Sequence, residues 1–185
     1  MNSFEIFAAS VGLLYLWLEY KANAWLWLVG IIMPLCFVYI FYGSKFYAGM
    51  TVQVYYVAAS AYGWWKWKKT ARNREETLSI QHIPLKTVWK SAVAFAGLFA
   101  ILVFALKFTD SGVVYSDAFI NALSIVGMWM LAHKYLEQWW VWLAVNIVSA
   151  GVYFDAGLKP TAVMYAIYAI GSVFGYFNWK KISLS

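Results

Sequence analysis

Residues 52–68 read VQVYYVAASAYGWWKWK and residues 164–180 read MYAIYAIGSVFGYFNWK. At a shift of 112, Tyr56, Tyr62, Gly63, Trp64, Trp67 and Lys68 fall on Tyr168, Phe174, Gly175, Tyr176, Trp179 and Lys180. Upstream, Trp25-Leu26-Trp27-Leu28 matches Trp140-Val141-Trp142-Leu143 at a slightly different shift. The chain therefore reads as a duplication, and what is duplicated follows from the segments that carry it.

Those segments are apolar. Of the 185 residues 64% are apolar and 12% charged, with a mean hydropathy of +0.64, against roughly 25% charged in a soluble domain. Apolar runs of about 20 residues, the length that crosses a bilayer core of about 30 Å, recur throughout. They predict membrane spans at about 4–20, 24–43, 50–67, 87–107, 115–132, 138–155 and 161–179. Short turns rich in Gly, Pro and charge separate them, and the only long polar stretch is 66–86. Spans 1–3 and 5–7 form the related triplets, with span 4 as linker. The expected organisation is a first three-helix repeat over 1–69, a loop and linker helix over 70–112, and a second three-helix repeat over 113–185.

Because a fourth span intervenes, both triplets run in the same direction. That is a parallel repeat about an axis along the membrane normal, as in SWEET-type carriers, where substrate sits near the midplane. The expected fold is thus an all-α integral membrane protein of about seven helices in a 3+1+3 arrangement. Lys21, Lys66, Lys68, Lys69, Arg72, Arg74, Lys86, Lys90, Lys134, Lys180 and Lys181 fall on one side; Lys45, Lys107 and Lys159 fall on the other. Cytoplasmic loops hold the excess of Lys and Arg, which predicts an outer N-terminus and an inner C-terminus. The first apolar run lacks a basic leader and a cleavage site and is read as a span rather than a signal peptide. Net charge is +6, but the basic residues sit beside span ends and mark topology, with no nucleic-acid partner expected.

One cysteine, Cys36, excludes an intramolecular disulfide and a cysteine-based metal site. His82 and His133 belong to no His/Asp/Glu set with metal-ligand spacing, and no Gly-rich phosphate loop is present. No enzyme, cofactor or ATP-driven pump is expected.

Polar residues inside spans are the candidates for binding. Trp139, Trp142 and Asn146 occupy i, i+3 and i+7 of the sixth span. They read either as an interfacial aromatic belt with an interhelical amide bond, or as an aromatic clamp with a polar anchor for a flat ring. A cationic ring would gain roughly 0.5–2 kcal/mol over an indole face. On the third span Gln53, Tyr56, Ser60 and Trp64 line one face, suited to interhelical bonding or to a ligand. Asn121, Ser124 and Met128 form a weaker stripe on the fifth. Glu19, next to Lys21, reads as a snorkelling pair or as counter-ion to a cationic ligand. Pro34 should free a carbonyl within the second span.

Ser124-Ile125-Val126, Lys134-Tyr135-Leu136-Glu137, Trp139-x-x-Trp142 and Asn146, with Val52-Gln53, Tyr62-Gly63-Trp64 and Trp67, resemble the signature of the PnuC family of vitamin transporters over nearly the whole chain. The resemblance implies a SWEET-like fold, homotrimers, facilitated diffusion across the bacterial inner membrane, and trapping by a cytoplasmic vitamin kinase or pyrophosphokinase. It implies that Trp139, Trp142 and Asn146 bind the vitamin, with Gln53, Tyr56 and Trp64 opposite. Met33 stands where nicotinamide riboside members tend to carry Asn. Glu19-Tyr20-Lys21-Ala22, Gly30 to Pro34 and the paired Tyr55-Tyr56 look more like the thiamine-transporting branch, PnuT. Thiamine is therefore the expected substrate and nicotinamide riboside the alternative. A membrane subunit that hands substrate to an energised complex would use the same residues.

Overall fold

The computed structural model describes residues 3–43, 47–72, 79–108 and 112–184. Among these residues are seven α-helices in the expected order: α1 (Ser3–Tyr20), α2 (Leu26–Gly43), α3 (Tyr47–Arg72), α4 (Leu85–Leu106), α5 (Val114–Ala132), α6 (Gln138–Asp155) and α7 (Lys159–Ser183). Lys45 and Arg74, which enter the charge split, lie outside the described residues. Helices α3 and α7 run past the apolar spans into their basic ends. Lysine and arginine are good helix formers, so hydropathy falls before the helix does; Lys180 and Lys181 in the last turn of α7 also complement the helix dipole.

Among the described residues α4, α5 and α7 are by length and composition apolar enough to cross a membrane. Helices α1, α2 and α6 have 18 residues each, about 27 Å of rise. Outward-facing Leu13, Leu14, Trp17, Ile32, Leu35, Ile147 and Phe154 are exposed, as suits helices whose solvent is lipid.

The helices group into two compact units, Met1–Leu78 and Ser79–Ser185. In unit 1, α2 packs on α1 and α3; in unit 2, α4, α5, α6 and α7 pack in sequence. Each triplet is organised around one tryptophan. Trp27 is fully buried, meets Trp67 edge-on at 5.5 Å and 89°, and lies over Gly63, where a Cβ would strike its ring. Trp139 is 1% exposed, meets Trp179 at 5.6 Å and 90°, and lies over Gly175 in the same way. All three pairs are 112 residues apart. This corrects the upstream alignment: Trp27 corresponds to Trp139, and Trp142 corresponds to Gly30.

The turns repeat at the same spacing. After α1, Ala22 adopts φ 50°, its N–H reaching the Glu19 carbonyl at 2.9 Å and the Asn23 N–H reaching Leu18 at 2.9 Å. After α5, Lys134 adopts φ 53°, with Lys134 N–H to Leu131 at 2.9 Å and Tyr135 N–H to Met130 at 3.1 Å. Both are Schellman caps, a motif that usually places glycine at the left-handed position.

Helix α4 contributes no buried residue of its own. Phe95 meets Phe119 of α5 edge-on at 5.7 Å, and Ile83, Phe95 and Leu98 pack on a core of Val126, Met130 and Tyr135. Its entry is pinned by polar bonds. Gln81 N–H donates to Lys134 O at 3.1 Å, Leu136 N–H to Gln81 O at 2.9 Å and Ile83 N–H to Glu137 Oε2 at 2.9 Å, while His82 Nδ1 lies 2.7 Å from Glu137 Oε1.

Candidate functional site

The expected site residues fall in both units. In unit 2 they are Trp139, Trp142 and Asn146 of α6. Trp139 points into the α6–α7 packing just described. Trp142 turns the other way, towards α5: a Cβ built on Gly127 would come 3.3 Å from its indole. The Nε1 of each ring is buried without a hydrogen-bond partner. Asn146, 8% exposed, lies one turn beyond Trp142; its Nδ2 donates to Ser172 Oγ of α7 at 3.3 Å, and Ser172 Oγ donates to Tyr168 O at 2.9 Å. Ser149, a further turn along the same face, is 1% exposed with its hydroxyl unpartnered. Trp142, Asn146 and Ser149 thus make a ladder of one indole, one amide and one hydroxyl along one face of α6. Apolar surroundings strengthen each hydrogen bond and raise the cost of leaving a donor or acceptor unmade.

In unit 1, Gln53 and Tyr56 are half-buried on α3, and Tyr56 meets Tyr55 edge-on at 5.6 Å. Ser60 is 1% exposed. Glu19 is 4% exposed although it lies in the last turn of α1, whereas Lys21, two residues on, is exposed. Tyr15, which did not figure among the expected site residues, lies within electrostatic reach of Glu19 and Tyr56 and has its Cε2 2.9 Å from a Cβ built on Gly30; Ser60 Oγ is 3.4 Å from the same point. Glu19, Tyr56 and Ser60 therefore gather about Tyr15. Trp64 does not join them. Its ring meets Trp25 edge-on at 5.6 Å and carries the Lys68 ammonium 4.9 Å above it, the company of an interfacial belt.

Tyr15, Ser149 and Ser172 were missed by sequence reasoning. The signal for Ser172 was available, since it stands 112 residues after Ser60. The Asn121 amide is used locally, donating to Asp117 O at 2.8 Å. Lys134, outside the spans, has its pKa lowered by burial. Among the described residues no group of three His, Cys, Asp or Glu side chains could hold a metal ion.

The sequence profile of the family described as nicotinamide mononucleotide transporter matches residues 2–181. The nicotinamide riboside transporter PnuC of Escherichia coli (strain K12) is 27% identical over 176 residues, covering 81% of this chain and 73% of that protein. The riboflavin/roseoflavin transporter RibM of Streptomyces davaonensis is also 27% identical over 176 residues, covering 91% and 80%. Among solved structures, a crystal structure of the vitamin B3 transporter PnuC superimposes with a TM-score of 0.75 at 25% identity, over 96% of this chain and 80% of that one.

Proposed function

This chain belongs to the nicotinamide mononucleotide transporter (PnuC) family, and from that membership we propose that it carries a vitamin with a cationic aromatic ring across the bacterial inner membrane, nicotinamide riboside first. The observation that carries this reading is the ladder of Trp142, Asn146 and Ser149 on one face of α6, with the Asn146 amide donating to Ser172 of α7. An indole face attracts a pyridinium, and a buried amide fixes the orientation of a polar substituent. Each unit has its own candidate residues: Trp142 and Asn146 in unit 2, with Trp139 holding structure around them, and Gln53, Tyr56, Ser60 and the acidic, buried Glu19 in unit 1, with Trp64 in a structural role. Transport runs down the gradient, the chain works as a homotrimer, and a cytoplasmic kinase or pyrophosphokinase traps the product.

Thiamine is the second reading, favoured by one residue: half-buried Met33 stands where the family resemblance implies an asparagine in nicotinamide riboside members. A thiazolium suits the same aromatic and acidic groups. The related proteins named above carry nicotinamide riboside and riboflavin, which ranks thiamine second.

Quenching of tryptophan fluorescence by nicotinamide riboside, thiamine and riboflavin, followed by uptake into proteoliposomes without ATP, tests this. Saturable binding and uptake of the riboside, lost in Trp142→Ala and Asn146→Ala protein that still inserts, is the expected result. Tight thiamine binding with a weak response to the riboside would reverse the ranking. Binding without uptake would make the chain a receptor subunit.

A further inference from the structure

The two units repeat one plan at a spacing of 112, and one position separates what packing requires from what it does not. In unit 1 Leu26 stands immediately before Trp27; in unit 2 Gln138 stands immediately before Trp139. Both are 0% exposed, and the tryptophans that follow them are enclosed alike over Gly63 and Gly175. Leucine therefore serves the packing at this place. What glutamine adds is a carboxamide, and its Nε2 and Oε1 are both buried without a hydrogen-bond partner. Among the described residues it is the one side chain with two such atoms. Leaving them unmade weakens the fold, so an amide kept where leucine serves points to a partner from outside the chain. Gln138 also extends the ladder already described. Gln138, Trp142, Asn146 and Ser149 follow at steps of four, four and three, which keeps them on one face of α6. About 6 Å of rise separates Gln138 from Trp142, and helical side chains lean towards the N-terminus, so the Trp142 indole covers the turn that bears Gln138.

We propose that Gln138 binds the edge of the carried vitamin's ring system while a ring face rests on Trp142. A primary amide donates and accepts in one plane, so the group that meets both needs presents a donor and an acceptor side by side. A carboxamide does so, as on nicotinamide, and so does the amino group beside a ring nitrogen in an aminopyrimidine, as on thiamine. A carboxylate offers acceptors only, and an unsubstituted ring edge offers no such pair. Every residue of this contact belongs to unit 2. It rests on the vitamin-carrier reading above and deepens it: Trp142 takes the ring face, and Gln138 selects what the ring carries at its edge.

The test pairs each vitamin with an analogue that lacks the group in question: nicotinamide riboside with pyridinium riboside, and thiamine with its analogue lacking the pyrimidine amino group. Affinities are measured by calorimetry on the purified full chain, for wild type, Gln138→Leu and Gln138→Met, with melting temperatures of all three. Both variants are expected to melt no lower than wild type, because unit 1 carries leucine at this place. Both should lose roughly ten- to hundredfold in affinity for the vitamin, the size of one or two buried hydrogen bonds, and bind the analogue as wild type does. A loss no greater for the vitamin than for its analogue overturns the contact and leaves the carrier reading intact. Melting well below wild type in both variants makes the amide structural and overturns the contact too. Wild-type protein that binds none of the four ligands overturns the carrier reading and the contact with it.

Discussion

Trp139 and Trp142 are three residues apart, and that interval decides their different fates. Three steps along a helix leave two side chains about 60° apart in azimuth, enough for neighbours on different sides to claim them: α7 takes Trp139 through Gly175, and Gly127 of α5 takes Trp142. Replacing Trp139 with alanine should leave a large cavity and cost about 3–5 kcal/mol. Trp27→Ala should cost the same in unit 1, since its ring is enclosed alike. Unfolding of the detergent-purified variants measures this, with Trp142→Ala expected to fall less in stability and more in ligand binding. The sequence made the pair of indoles and the amide visible, but the partner glycines that separate their roles lie on other helices and leave no local trace. Tyr15 was illegible for a related reason: an aromatic in an apolar span is ordinary until Gly30 is seen beneath it.

The same limit operates between elements. Spans were legible because hydropathy reports them directly, whereas the Schellman turns were not, because alanine and lysine occupy positions where glycine is the usual marker. Ala22→Gly and Lys134→Gly should therefore each raise stability, by about 1 kcal/mol, through relief of the left-handed backbone; denaturation of the two variants checks it. Lys134 adds a pH dependence. Burial lowers its pKa from 10.5, so between the lowered value and 10.5 the unfolded chain binds the extra proton and stability rises with pH. Lys134→Gln should flatten that rise in melts taken across the alkaline range. The strap that precedes α4 should depend on Glu137, whose carboxylate meets both His82 and the Ile83 N–H. The His82 pair is exposed and contributes little; the backbone bond contributes more, about 1.5–3 kcal/mol for a charged acceptor. Glu137→Ala should speed amide exchange at Gln81 to Ile83 and leave α6 and α7 protected.

Across the whole molecule, duplication was the most legible property, because the ends of α3 and α7 keep their aromatics, glycines and lysines at one spacing. The upstream register slipped because size moved between helices: Tyr15 over Gly30 in one unit is answered by Trp142 over Gly127 in the other. An alignment that rewards identical letters therefore slides three residues to match tryptophan with tryptophan. At this scale the carrier reading predicts ligand-linked stability. At 100 times its Kd, nicotinamide riboside should stabilise the folded chain by about 2.7 kcal/mol, seen as a rise in melting temperature that is absent in Asn146→Ala.

That exchange of bulk ties two positions together. Each ring fills one space from one of two directions, so converting either unit into the other's form requires two substitutions at once. Tyr15→Gly alone opens a hole, and Gly30→Trp alone forces two rings into the room of one. Each single change is therefore expected to cost stability, and the two together less than their sum, so a chain assembled from two copies of either unit would lack the ring arrangement of the other.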